Sequence, residues 1–179
     1  MKKLSKLFVI PGLIMALVFA FIIPSKTMAA ETEIDSLNEQ VKELSDQEMQ
    51  ELIAGLKAIY AETVENSNSE TPTIEVRGYK SKAALKVAEM LLKSGNKVVD
   101  LLKDLGLLDA AAAKSFKKVT GKVGNFVETL ASAGDEAAAM ARTQLPKKLN
   151  DWGIKNKGTQ EMIANAVSYA IKAADWIFL

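Results

Sequence analysis

The sequence predicts an all-α protein, built as an acidic two-helix arm followed by a bundle of four or five helices. Three observations carry this. The chain of 179 residues holds only four prolines and few aromatics, while the helix formers Ala, Leu and Lys are abundant. Apolar residues recur along most of it at the three- and four-residue spacing of one helix face. A single stretch, residues 65–78 (ENSNSETPTIEVRG), breaks that spacing with polar turn formers and a Thr-Pro-Thr step, and so reads as a linker. No sheet is expected beyond a short extended piece at Thr73–Val76.

Charge changes sign across the linker. Residues 31–77 hold 12 Asp/Glu against 3 Lys/Arg, whereas residues 78–179 hold 10 against 16. The expected organisation is therefore a leader at residues 1–30, an acidic helical arm at 31–64, the linker at 65–78, and a cationic helical domain at 79–179.

The leader reads as a secretory signal peptide. Three lysines lie within Met1–Lys6, an apolar run spans Leu7–Ile23, and small residues follow for cleavage after Ala29 or Ala30. The alternative is an uncleaved anchor, because the run only just reaches the roughly 17-residue lower limit for spanning a bilayer. Its Pro11-Gly12 step favours cleavage. Secretion without any cysteine leaves no disulfide, so stability must come from helix packing or from a membrane.

Two helices are expected in the arm. The first lines up Ile34, Leu37, Val41 and Leu44 on one face. Ser45-Asp46-Gln47-Glu48 forms a capping box, so a second helix should begin at Asp46. Its apolar face would be Met49, Leu52, Ile53, Leu56, Ile59 and Tyr60. Short amphipathic helices are marginal alone, so these faces need a partner. They can dock on the cationic domain as ordinary helices, or act as a pro-region that masks a cationic surface until release near Arg77-Gly78.

The cationic domain opens with a basic amphipathic helix in which Lys82, Lys86, Lys93 and Lys97 oppose Leu85, Ala88, Leu91 and Leu92. Gly95-Asn96 should kink or end it, and Gly106 should stop its continuation. Asp109 is placed to cap a helix from Ala110, where Lys114, Lys117, Lys118 and Lys122 form a second basic stripe. Gly121 and Gly124 either let two helices approach or loosen one, and loosening is expected. Gly134-Asp135 should end that helix and cap another at Glu136–Leu145, stopped by Pro146. Thr159 should cap the last helix after a short turn and the GIKNKG loop.

That last helix is apolar almost all round, apart from a narrow seam of Glu161, Asn165, Ser168, Lys172 and Asp175. So wide an apolar surface means burial on several sides, as the central member of a bundle. The competing reading is a membrane-seeking end, with Trp176 and Phe178 suited to a lipid interface.

Residue chemistry narrows the function. With no His and no Cys, Ser-His-Asp and Cys-His nucleophiles and the common zinc sites are excluded. Ser115-Phe116-Lys117-Lys118 and Ser94–Lys97 match S-x-x-K, but neither is followed by a KTG-like strand. No catalytic residue, metal ligand or cofactor is expected, so the protein is read as not an enzyme. Basic stripes can bind nucleic acid, but near-zero net charge and a signal peptide argue against that.

The order of segments resembles that of secreted bacteriocin-like precursors of Gram-positive bacteria: a signal at Met1–Ala30, an acidic helical spacer, a Val76-Arg77-Gly78 junction, and a Lys/Ala/Leu-rich helical end closing on Ala174-Asp175-Trp176-Ile177-Phe178-Leu179. The resemblance lies in layout; double-glycine leaders, YGNGV-type boxes and paired cysteines are missing. It implies release of the part after Arg77 as an antimicrobial, membrane-active factor. On this reading the eight lysines of the two stripes attract an anionic membrane surface, and Trp176 and Phe178 insert. Ala29, Ala30, Arg77 and Gly78 are the processing positions. The alternative is a non-enzymatic secreted binding or structural module that meets a cell-surface protein.

Overall fold

The computed structural model describes residues 44–65 and 81–178. The leader, Ile34, Leu37 and Val41 of the first arm helix, the linker after Glu65, and Ala29, Ala30, Arg77 and Gly78 lie outside the described residues; Glu65 itself ends the helix before it. The described residues all fall within one compact unit, Val41–Leu179.

All described elements are helical, as the sequence predicts. Helix α1 is Asp46–Glu65, α2 is Lys82–Asp104, α3 is Ala110–Lys117 and α4 is Thr120–Leu130; a 3-10 turn at Ala131–Glu136 leads to α5, Ala137–Asp151, and α6, Lys157–Phe178. Local chemistry explains most of the boundaries. The Ser45 backbone N–H donates to the Glu48 carboxylate at 2.9 Å, while the Glu48 N–H donates to Ser45 Oγ at 3.3 Å, closing the expected box. Asp109 accepts from the Ala112 N–H at 2.6 Å and so starts α3. Gly106, at φ 70°, ends α2 in a Schellman turn: Gly106 N–H reaches Lys103 O and Leu107 N–H reaches Leu102 O. Gly153, at φ 96°, ends α5 in the same way.

Five details differ from the sequence expectation. Helix α4 ends at Leu130, four residues before Gly134, and α5 begins without a side-chain cap from Asp135. The kink in α2 falls at Ser94 (φ −130°, ψ 28°), one residue before the expected glycine. Pro146 lies inside α5 rather than ending it. It removes one backbone hydrogen bond, but Leu145 and Leu149 on either side are fully buried, and that packing carries the helix through. The last helix is capped by Asn156, whose Oδ1 accepts from the Thr159 N–H at 2.9 Å; Thr159 is in the first turn, not the cap. Gly124 does not loosen α4: a Cβ there would come within 2.9 Å of Leu92 Cγ and 3.2 Å of the Ala88 carbonyl oxygen. It is a close-approach point between α4 and α2.

Packing follows from where the small residues fall. Helices α2 and α4 run antiparallel, with Gly95 against Thr120, Gly124 against Ala88 and Leu92, and the Ser81 N–H bonded to Ala131 O at 2.8 Å. Helix α6 is the central member, touching α1, α2, α3 and α5. Its Ile163, Ala164, Ala166, Val167, Ala170, Ile171, Ala173 and Ala174 are all buried. The alanines let four neighbours close around one helix, which explains why so apolar a segment needs no lipid to be covered. Helix α1 packs on α2 and α6, burying Leu52 and Leu56 completely. Fully burying one such leucine is worth roughly 1.5–3 kcal/mol, so α1 is held firmly against α2 and α6.

Candidate functional site

The basic stripes and the C-terminal aromatics are the sequence-derived candidates, and the fold sorts them into different environments. In the first stripe, Lys82 is exposed at the start of α2. One turn on, Lys86 is half-buried; its Nζ donates to the Tyr60 hydroxyl, lies 4.7 Å from the Tyr60 ring centroid, and pairs with Glu89 at 3.3 Å. Glu89 also holds Lys93, at 3.0 Å. Lys97 pairs with Glu62 of α1. In the second stripe, Lys117 pairs with Asp100 of α2 at 2.6 Å, whereas Lys114, Lys118 and Lys122 are exposed with no ion pair among the described residues.

Two electrostatic consequences follow. Burial works to lower the Lys86 pKa, but the Tyr60 hydrogen bond and the Glu89 charge outweigh it, so the ammonium is held above its ordinary value. Burial pushes Glu89 up, yet Lys93 and Lys86 outweigh that and hold its carboxylate below the usual range. Both groups are charged at neutral pH and spend that charge on each other. Four of the eight candidate lysines, Lys86, Lys93, Lys97 and Lys117, are thus engaged within the protein.

The Lys82 end of the first stripe also lies apart from the second stripe. Lys117 meets Asp100, and Thr120 meets Gly95, so the second stripe sits beside the late part of α2. Lys82 and Lys86 sit at its beginning. At 1.5 Å rise per residue, Lys86 and Asp100 are separated by roughly 21 Å along the helix. The C-terminal end of α6 lies near the Lys82 end: Phe178 packs edge-on against Tyr60, ring centroids 4.8 Å apart, and Asp175 feels the charge of Asp135. Trp176 is 79% exposed, the most exposed large apolar side chain described, while Phe178 is half-buried against Tyr60. The two aromatics expected to insert together are therefore separated in role.

Sequence reasoning did not find the Tyr60–Lys86–Glu89 cluster or the contact between the hydroxyls of Thr63 and Ser94 at 2.9 Å. Both join α1 to α2 across the linker, and no spacing within either helix signals them. The S-x-x-K serine Ser94 is thus engaged with Thr63, itself 4% exposed, rather than aimed at solvent. Among the described residues, no cluster of three or more acidic side chains is placed to hold a metal ion. Among them too, no helix is long and apolar enough to cross a membrane.

The family described as "Uncharacterised protein YqxI" matches residues 75–177. The chain belongs to that family. No curated protein and no solved structure matches it. The matched segment begins inside the linker and takes in α2 to α6 together with both basic stripes, and leaves α1 outside.

Proposed function

We propose that this protein is a secreted, non-enzymatic, bacteriocin-like factor that meets an anionic membrane surface as a closed helical bundle. The supporting observation is the set of exposed lysines with no ion pair among the described residues, Lys114, Lys118 and Lys122 at one end and Lys82 at the other, around a buried apolar core. Each lysine close to an anionic surface contributes about 1 kcal/mol, so the three at one end supply about 3 kcal/mol of attraction. Trp176 provides an aromatic contact at the Lys82 end. Phe178 becomes available only if its contact with Tyr60 opens. Release near Arg77-Gly78 would free α1 from its tether while its side-chain contacts remain, so cleavage is the first of two steps.

The experiment is dye release from vesicles of anionic and of zwitterionic lipid, with the protein lacking its leader, before and after cleavage at the linker. Release from anionic vesicles alone is expected. No release and no binding in either form contradicts the reading.

A second reading, a secreted helical binding or structural module, is favoured by the burial of α6 on several sides. It expects a cooperative thermal transition without lipid and no effect on vesicles.

A further inference from the structure

We propose that the groove between α2 and α6 is a helix-binding site, and that α1 is its ligand: a separable acidic amphipathic helix that this chain carries for itself. This inference does not rest on the membrane reading, because it concerns the other side of α2's chemistry, the face that takes a helix rather than a lipid.

Four observations carry it. The family match begins at residue 75, so the groove belongs to the shared segment and α1 does not. Helix α1 is joined to that segment in sequence through residues 66–80, and otherwise by side chains. Its anchors recur at helix-in-groove spacing, with Leu52, Leu56 and Thr63 buried and Met49, Ile53, Ile59 and Tyr60 packed beside them. The charges are complementary: α1 carries five carboxylates and one lysine, α2 five lysines and three carboxylates.

One more observation gives the site its selectivity. At the Ser94 kink the groove presents a hydroxyl, and Thr63 of α1 meets it while also donating to the Ile59 carbonyl at 2.7 Å. A helix lacking a hydroxyl there leaves Ser94 facing an apolar group in a half-buried position, which a hydroxyl-bearing helix avoids. Three residues before Thr63, Tyr60 contacts both Lys86 and Phe178; immediately before it, Glu62 reaches Lys97. The preferred ligand is therefore a helix with aliphatics four residues apart, followed by Tyr, Glu and Thr in this register.

Exchange on the full-length chain tests this. A specific protease site is placed within residues 66–70, the protein is nicked there, and a fluorescent peptide of residues 44–65 is added. The nicked protein should take up the peptide saturably and release its own α1. The uncut protein should bind at least tenfold more weakly, because a tethered helix competes at about millimolar effective concentration. A Leu52→Asp, Leu56→Asp peptide should lose binding at least a hundredfold, and a Thr63→Val peptide about tenfold. Loss of helical circular dichroism on nicking would show that α1 is an inseparable part of the core and overturn the proposal. Retention of α1 with no peptide entry at large excess, or equal entry by the Leu52→Asp, Leu56→Asp peptide, would overturn it as well.

Discussion

Phe178, one residue before the last of the chain, sets its ring edge-on against Tyr60 of the acidic helix, centroids 4.8 Å apart. The contact ties the end of the central helix to α1 across more than a hundred residues of sequence, and Lys86 also holds Tyr60. A double-mutant cycle on Tyr60→Leu and Phe178→Leu is expected to give a coupling of about 0.5–1.5 kcal/mol in urea denaturation. Additive effects would mean that the two rings share only a neighbourhood.

The same seam predicts that docked α1 adds to stability. Leu52 and Leu56 are fully buried, and large-to-small changes in such places cost about 2–5 kcal/mol each. Leu52→Ala and Leu56→Ala should lower the urea midpoint by corresponding amounts. Ala61→Ser, on the exposed side of α1, should change the unfolding free energy by no more than about 0.5 kcal/mol.

Two glycines three residues apart should respond with opposite sign. Gly121 has nothing within 4 Å of an added Cβ, so Gly121→Ala is expected to stabilise by up to about 1 kcal/mol. Gly124 faces Leu92 and the Ala88 carbonyl, so Gly124→Val should destabilise by about 1–3 kcal/mol. Thermal denaturation of the two variants checks both.

The pH dependence has two opposing contributions. Burial raises the Asp175 carboxyl above its ordinary value and the Asp135 charge adds to the rise. A raised folded-state value gives stability that is present below the unfolded-state pKa and lost as pH rises through the folded one. Asp175→Asn should therefore be more stable than the parent at pH 7, with the advantage vanishing in acid. Glu89 is held low, so its contribution is present above its unfolded-state value and lost as pH falls through the folded one. Glu89→Gln should lose up to about 1 kcal/mol at pH 7, closing toward the parent in acid. Denaturant midpoints across pH 3–7 would separate the two.

Most local chemistry was legible in the sequence, apart from the Asn156 cap, and most tertiary chemistry was not. Ser45 with Glu48, Asp109 and Gly106 act within a few residues of themselves, and their roles could be read from spacing alone. Pro146 and Gly124 were misread because what decides them comes from elsewhere: buried leucines that hold a helix through a proline, and a facing helix that leaves no room for a Cβ. The apolar breadth of α6 did announce its central place. The lysine stripes were visible as stripes, but spacing along one helix cannot show that Glu62, 35 residues away, neutralises Lys97, or that Asp100 holds Lys117.

Binding to anionic vesicles by two four-lysine variants tests the central claim most directly. One changes Lys82, Lys114, Lys118 and Lys122 to Gln; the other changes Lys86, Lys93, Lys97 and Lys117 to Gln. Both remove the same charge. At about 1 kcal/mol per surface-facing lysine, the first should lose more than a hundredfold in affinity with an unchanged melting temperature. The second should keep most of its binding and lose stability, because its lysines are spent on Tyr60, Glu89, Glu62 and Asp100. Equal loss of binding by the two would mean that net charge alone governs the interaction, and undiminished binding by the first would contradict the account.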